Sequence, residues 1–415
     1  MRRLVFAVTV ILLMGLLLHR ALLSGRHQQT KPATPAAGSH PQVSAEATPS
    51  MPVSKHGYGK TIYAKTSDGT ADGPTSVYEQ DLDTGKTITL IPNRSLPKQF
   101  KRSMGVFRVS LDGNYFVVGH RDDNPELWSD LALWSRKTGK FHKLAWTKED
   151  DSVSISAHGR YVALYSSFGH IRVYDSLTGS IRKMPSFQTV TYGDEVVVAW
   201  SADEQNMIVA NSPNTGGSTV YLLPMTSSGK RVLLRWPRAI DSITGSPKGR
   251  QFAFADSKGV YVVSQHGKHT RELPIHVEPI GDSSPFYEVA YDRSGSTLAV
   301  LSSLSYGEPS VQLNQQLWHV SVTRGGVHKV AEWDESYLDV TSDDGTRADE
   351  SIAGWASDSG SILTIAEIAS GHGGDIQAIR NDFYLVLACD IKGGKQAELC
   401  RPGDGCLGMT WWPGK

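Results

Sequence analysis

The sequence predicts an all-β fold, a seven-bladed β-propeller, on three observations. Its 40 glycines, 20 prolines and 36 aromatic residues (10 Trp, 15 Tyr, 11 Phe) suit many short strands joined by tight turns better than long helices. A unit of apolar strand, turn and second apolar strand recurs at an almost constant interval, and periods of 40 to 50 residues mark propellers or solenoids. A second unit, an aromatic strand followed by a glycine turn and a more polar strand, occurs seven times.

The first unit reads VFRVSLDGNYFVVGH at 106–120 and recurs as VSISAHGRYVALYSS, VVVAWSADEQNMIVANS, SITGSPKGRQFAFADS, VAYDRSGSTLAVLSS and IAGWASDSGSILTIAEI. Its turn positions are assigned to Gly113, Gly159, Glu204, Gly249, Gly295 and Gly360, so the first four intervals are 46, 45, 45 and 46 residues. The second unit is typified by LALWSRKTGKFHKLAW and IRVYDSLTGSIRKMP. Tyr78, Trp134, Tyr174, Tyr221, Tyr261, Trp318 and Tyr384 precede its seven turn glycines at varying offsets. Variable offsets fit large fillers between blades better than ligand contacts.

Two strands per unit make four per blade, but there are six first units against seven second units. The deficient blade is the first, because TIYAKTSDG (61–69) already reads as a second strand. GMTWWPG (408–414) supplies the missing inner strand, so the two ends of the chain pair within one blade and close the ring, which leaves no exposed strand edge. A six-bladed ring is the alternative if that terminal strand lies outside.

The pattern apolar-x-S-P-x-G, then a strand, an aromatic strand and a glycine turn, resembles the WD-like repeat of bacterial periplasmic propellers such as the TolB component of the Tol-Pal system. Gly245-Ser246-Pro247-Lys248-Gly249 carries it most fully; Val109-Ser110-Leu111-Asp112-Gly113 and Ala199-Trp200-Ser201-Ala202-Asp203-Glu204 carry it in part. The resemblance spans residues 60–415 and implies the fold, since such motifs are structural and serve many functions. Trp411-Trp412-Pro413-Gly414 is one residue shorter than the pattern, and the catalytic domain that some related propellers carry is absent from these residues.

Before the repeats, Arg2 and Arg3 precede an uninterrupted apolar run from Leu4 to Leu18. Extended to Leu23, with His19 and Arg20 snorkelling, a helix there reaches about 30 Å, the thickness of a bilayer core. Residues 1–26 are therefore expected to form an uncleaved transmembrane signal-anchor, with a cleaved signal peptide as the alternative, and the rest of the chain is expected at the cell surface or in the periplasm. Residues 27–59 are rich in Pro, Ala, Ser and Thr and nearly lack large apolar side chains, so they read as a disordered tether to a 60–415 propeller domain. In such a compartment CRPGDGC could close a Cys400–Cys406 disulfide, or leave free thiols.

Lysine plus arginine and aspartate plus glutamate both number 42, so no global field attracts nucleic acid. No GxSxG elbow, HExxH pair or phosphate-binding GxxxxGK[ST] loop is present. Extra length collects late in the chain: Gly295 to Gly360 is 65 residues and the next interval, to Gly414, is 54. The additions are assigned to loops 304–315, 334–351 and 369–382, all on one face by strand order. They carry Asp334, Glu335, Asp339, Asp343, Asp344, Asp349, Glu350, His372 and Asp375, which are the candidate binding residues. Asp68, Asp72, Asp122, Asp123, Glu126 and Asp130 are expected on the same face. A one-signed surface draws cationic partners; solvated loops with no partner are the plainer alternative. Calcium on Asp343, Asp344 and Asp349 is a minor option, because their spacing matches no EF-hand; no other metal or cofactor is expected. His372 and Asp375 could serve acid–base work or sit in an ordinary surface loop. The leading expectation is a non-catalytic scaffold for a protein, peptide or envelope glycan; the rival is a propeller hydrolase or lyase with its site at the channel mouth.

Overall fold

The computed structural model describes residues 57–413 except 69–72, 103, 122–127, 145–151, 167–168, 188–194, 214–215, 228, 276, 278–284, 307–311, 334–346, 358, 370–382, 393–395 and 403–405. Its strands form seven four-stranded antiparallel sheets, each ordered first to fourth from the inside out. Blade 1 combines Cys406–Trp412 with strands from Lys60 to Ile91. Blades 2 to 7 run from Met104 to Lys143, Ser152 to Lys183, Glu195 to Trp236, Ser242 to Leu273, Phe286 to Trp333 and Arg347 to Cys400. The chain is thus an all-β seven-bladed propeller, and the six-bladed alternative falls away. The signal-anchor expected at 1–26 and the tether to residue 56 lie outside the described residues. Among the described residues no helix is long and apolar enough to cross a membrane.

Closure occurs at the expected place. Lys60 pairs with Trp412, Thr61 with Trp411 and Ile62 with Thr410, and a bulge between Tyr63 and Lys65 resets the ladder before Cys406. Trp411 donates its indole N–H to the Tyr58 carbonyl at 2.6 Å. Trp412 is buried against the first turn of blade 2: a Cβ added at Gly113, whose φ is +66°, would meet its ring at 2.5 Å. Only glycine satisfies both that backbone and that approach. Lys60 and Arg136 lie over the Trp412 ring at 5.7 and 5.4 Å from its centre, and both bond the buried Glu79, Lys60 at 2.9 Å. Burial pushes the Glu79 carboxyl up, but the hydrogen bonds from Arg136 and Lys60 outweigh it and hold the group below the usual glutamate range.

The repeat register has a single physical origin. In each blade from 2 to 7, one residue's carbonyl accepts from the N–H three positions on, and its own N–H donates to the carbonyl five positions on, as Ser110 does with Gly113 and Tyr115. The third-position residue must then be left-handed, and Gly113, Gly159, Gly249 and Gly295 take φ between 66° and 71°. Glu204 takes φ 55° without a glycine's freedom, and its carboxylate compensates by accepting the His158 backbone N–H of the preceding blade at 2.6 Å. In blade 7 the left-handed position is Ser359, φ 55°, not the expected Gly360. Glycine chemistry drew the assignment one residue too far.

Hydrophobic burial lies between blades rather than at a centre. Seven buried clusters each join two neighbouring blades, and together they go round the ring. Trp134, Tyr174, Tyr221, Tyr261, Trp318 and Tyr78 each pack into the layer shared with the preceding blade, as expected of fillers. The side chain of Tyr384 lies outside the described residues.

Candidate functional site

Strand order sorts the connections onto two faces. First-to-second and third-to-fourth turns lie on one face, and second-to-third hairpins and blade-to-blade crossings lie on the other. In blades 2 to 7 the second strands start at the equivalent position after that turn, so their lengths measure how far each ladder runs toward the crossing face. From blade 1 to blade 7 they hold 7, 7, 5, 7, 6, 10 and 9 residues. At about 3.3 Å per residue, the second strand of blade 6 runs roughly 16 Å further than that of blade 3, across the ring.

This wall contains residues expected to be loop. Leu304, Ser305 and Tyr306 pair with Asn314, Leu313 and Gln312, and Arg347–Trp355 and Ser361–Ala369 are strands, so the additions partly lengthen the ladder. Blades 6 and 7 are also cross-tied. The Ile352 N–H donates to the Glu288 carboxylate at 2.9 Å, and the Trp333 indole donates to Gln396 Oε1 at 3.1 Å.

Of the candidate residues, Asp349 and Glu350 lie on the first strand of blade 7, opposite Glu367 and Ala366. Asp334, Glu335, Asp339, Asp343, Asp344, His372 and Asp375 lie outside the described residues. So do the calcium-binding option's Asp343 and Asp344, and among the described residues no three His, Cys, Asp or Glu side chains could hold a metal ion. Asp72, Asp122, Asp123 and Glu126 also lie outside. Asp130 pairs with Lys143 at 2.7 Å.

The Cys400–Cys406 disulfide is not present. All three cysteines are buried, and no disulfide joins them. Cys400 ends the fourth strand of blade 7 and Cys406 begins the first strand of blade 1, so the loop that looks closed in sequence crosses between blades. The Cys400 thiol donates to Gln80 Oε1 at 2.9 Å, and burial pushes it up to about 11. It is a packed, protonated group.

Two recesses escaped the sequence motifs. On the turn face between blades 4 and 5, a cavity of about 550 Å³ has Ile208, Leu222, Leu233 and Phe252 in its floor, with Arg231, Lys248 and His266 at its edge. On the crossing face, a basin of about 610 Å³ is lined by Lys98, Gln99, Lys101, Arg102 and His120. The lining residues 98–102 belong to the crossing from blade 1 to blade 2. Their signal was the run LPKQFKR, which in sequence alone reads as a solvated charge run.

No family model and no curated protein matches this chain. Similar solved structures include oligogalacturonate lyase from Vibrio parahaemolyticus, 12% identical with TM-score 0.49 over 84% of this chain and 89% of that one. TolB from Acinetobacter baumannii is 13% identical with TM-score 0.40 over 85% and 66%. The Cps50 (Swd1) β-propeller domain from Myceliophteria thermophila is 14% identical with TM-score 0.43 over 71% and 95%. The seven sheets themselves establish the propeller architecture, and the likeness to TolB-like propellers is one of fold alone.

Proposed function

We propose that this chain is a membrane-tethered, extracytoplasmic propeller that holds a protein, peptide or envelope-glycan partner against the wall formed by blades 6 and 7. The observation that carries this is the unequal height of the crossing face, where strands of 10 and 9 residues face one of 5 across the ring. A scaffold under no demand beyond closure has no reason to lengthen two adjacent hairpins. Binding residues sit on segments that a rigid frame displays, and the acidic residues 334–350 together with His372 and Asp375 extend from this wall in sequence.

The described chain enters at Gly57–Gly59 on the turn face, where the Gly57 carbonyl accepts from Ser357 N at 2.8 Å and the Tyr58 N–H donates to Asp83 Oδ1 at 3.2 Å.

A photo-crosslinking residue placed at Asn314 in the wall, or at the exposed Leu177 on the turn face, tests the proposal in intact envelopes. The expected result is a discrete adduct from position 314 alone. Adducts from both positions, or from 177 alone, would contradict it.

A further inference from the structure

The basin between blades 1 and 2 is built as few charged loops are. Its backbone is fixed on three sides. The Asn93 side-chain amide donates to the carbonyls of Thr75 and Lys101 at 2.8 and 2.7 Å, and the Thr75 N–H donates to the same Lys101 carbonyl at 2.9 Å. Pro74 and Arg102 form an isolated β-bridge. Leu96 and Phe100 are buried in the layer between blades 1 and 2, and Phe100 stacks on Phe141 with ring centres 6.1 Å apart. Asn93 heads an Asn-Arg-Ser glycosylation sequon, yet its amide is spent inside the loop.

With the apolar members of the segment turned inward, Lys98, Gln99, Lys101 and Arg102 are left exposed, and His120 from the second strand of blade 2 completes the lining. Among the described residues no carboxylate lines the basin, and no ion pair engages Lys98, Lys101 or Arg102. Elsewhere in the ring the half-buried cations Lys60, Arg136 and Arg238 each meet a carboxylate, and Lys65 and Arg182 each meet a backbone carbonyl. Holding three cations on a fixed backbone costs mutual repulsion, which no carboxylate among the described residues offsets and which a bound anion would relieve.

We propose that this basin is a binding site for a phosphate group, with Arg102 supplying a planar two-donor fork and Lys98 and Lys101 supplying point charges around it. That donor set suits the several equivalent oxygens and double charge of a phosphate. The Gln99 amide can meet a neutral hydroxyl beside it, so a phosphorylated small molecule or polymer end is the class of ligand. The site stands apart from the wall of blades 6 and 7, and its assignment does not depend on what that wall binds.

Calorimetric titration of the full-length chain in non-ionic detergent with inorganic pyrophosphate tests the assignment, with citrate as the carboxylate comparison. Saturable one-site binding of pyrophosphate is expected, tighter than citrate and weakening with added salt. Each of Lys98→Gln, Lys101→Gln and Arg102→Gln should weaken it by about tenfold, the worth of a charged hydrogen bond. The exposed Lys392→Gln should leave it unchanged, and all four variants should retain the parent melting temperature. Absence of saturable binding, equal or tighter binding of citrate, or affinity within twofold of the parent in a K98Q/K101Q/R102Q triple variant would overturn the proposal.

Discussion

The two faces of the ring obey different rules. On the turn face, blades 2 to 7 repeat one hydrogen-bonded turn, with the left-handed residue three positions after its acceptor every time. On the crossing face the second strands end after anything from 5 to 10 residues. The regular face is what a closing ring demands of every blade alike. The irregular face is free of that demand, so its departures are where function can be built.

Three perturbations of the regular side rank by how much of the ring each opens. Removing the last eight residues deletes Met409, Trp411 and Trp412 and leaves Lys60–Thr66 as a bare edge. Burial of three such side chains contributes about 5–9 kcal/mol, comparable to the whole stability of a typical domain. Loss of the cooperative thermal transition is expected, and an unchanged melting temperature would break the closure account. Trp412→Ala should cost about 3–5 kcal/mol by emptying the space between Gly113, Lys60 and Arg136, measured by denaturant unfolding. Gly113→Val forces a branched residue into φ +66° and against the Trp412 ring, and should cost more than about 2 kcal/mol. Valine at Gly139, where a Cβ meets nothing within 4 Å, meets only the backbone penalty and should cost less.

A smaller effect concerns acid. Glu79 has its folded pKa depressed, so its contribution is present at neutral pH and is lost as pH falls below the usual glutamate value of 4.5 and through the folded value. The parent should therefore lose stability below about pH 4.5 more steeply than Glu79→Gln, which starts lower because Lys60 and Arg136 lose their partner. Parallel pH profiles of melting temperature would show that the clamp on Trp412 is not electrostatic.

How much was legible follows from the same contrast. Blade number and closure could be read because turn chemistry forces glycine-like residues into register and because the closing strand must be apolar. Ser359 shows the limit: the hydrogen bonds choose the position, and an adjacent glycine misleads. The wall could be located from the 65-residue interval but not shaped, because LSYGEPSVQLNQ has no strand-like alternation although Leu304–Tyr306 pair with Gln312–Asn314. The basin was hidden because charge density in sequence does not tell whether the backbone beneath is fixed; Asn93 and Phe100 do that through contacts with Thr75 and Phe141. The choice between a Cys400–Cys406 disulfide and free thiols stayed open in sequence, because a six-residue separation does not reveal that the two residues serve different blades.

The most direct test of the division between faces is to cut the hairpins of blades 6 and 7 back to the five-residue second strand of blade 3, and then to measure thermal unfolding and crosslinking to the proposed partner together. The account predicts a cooperative transition within a few degrees of the parent and complete loss of the partner adduct. A shortened chain that still captures the partner, or one that no longer folds, would show that the wall belongs to the frame rather than to the site.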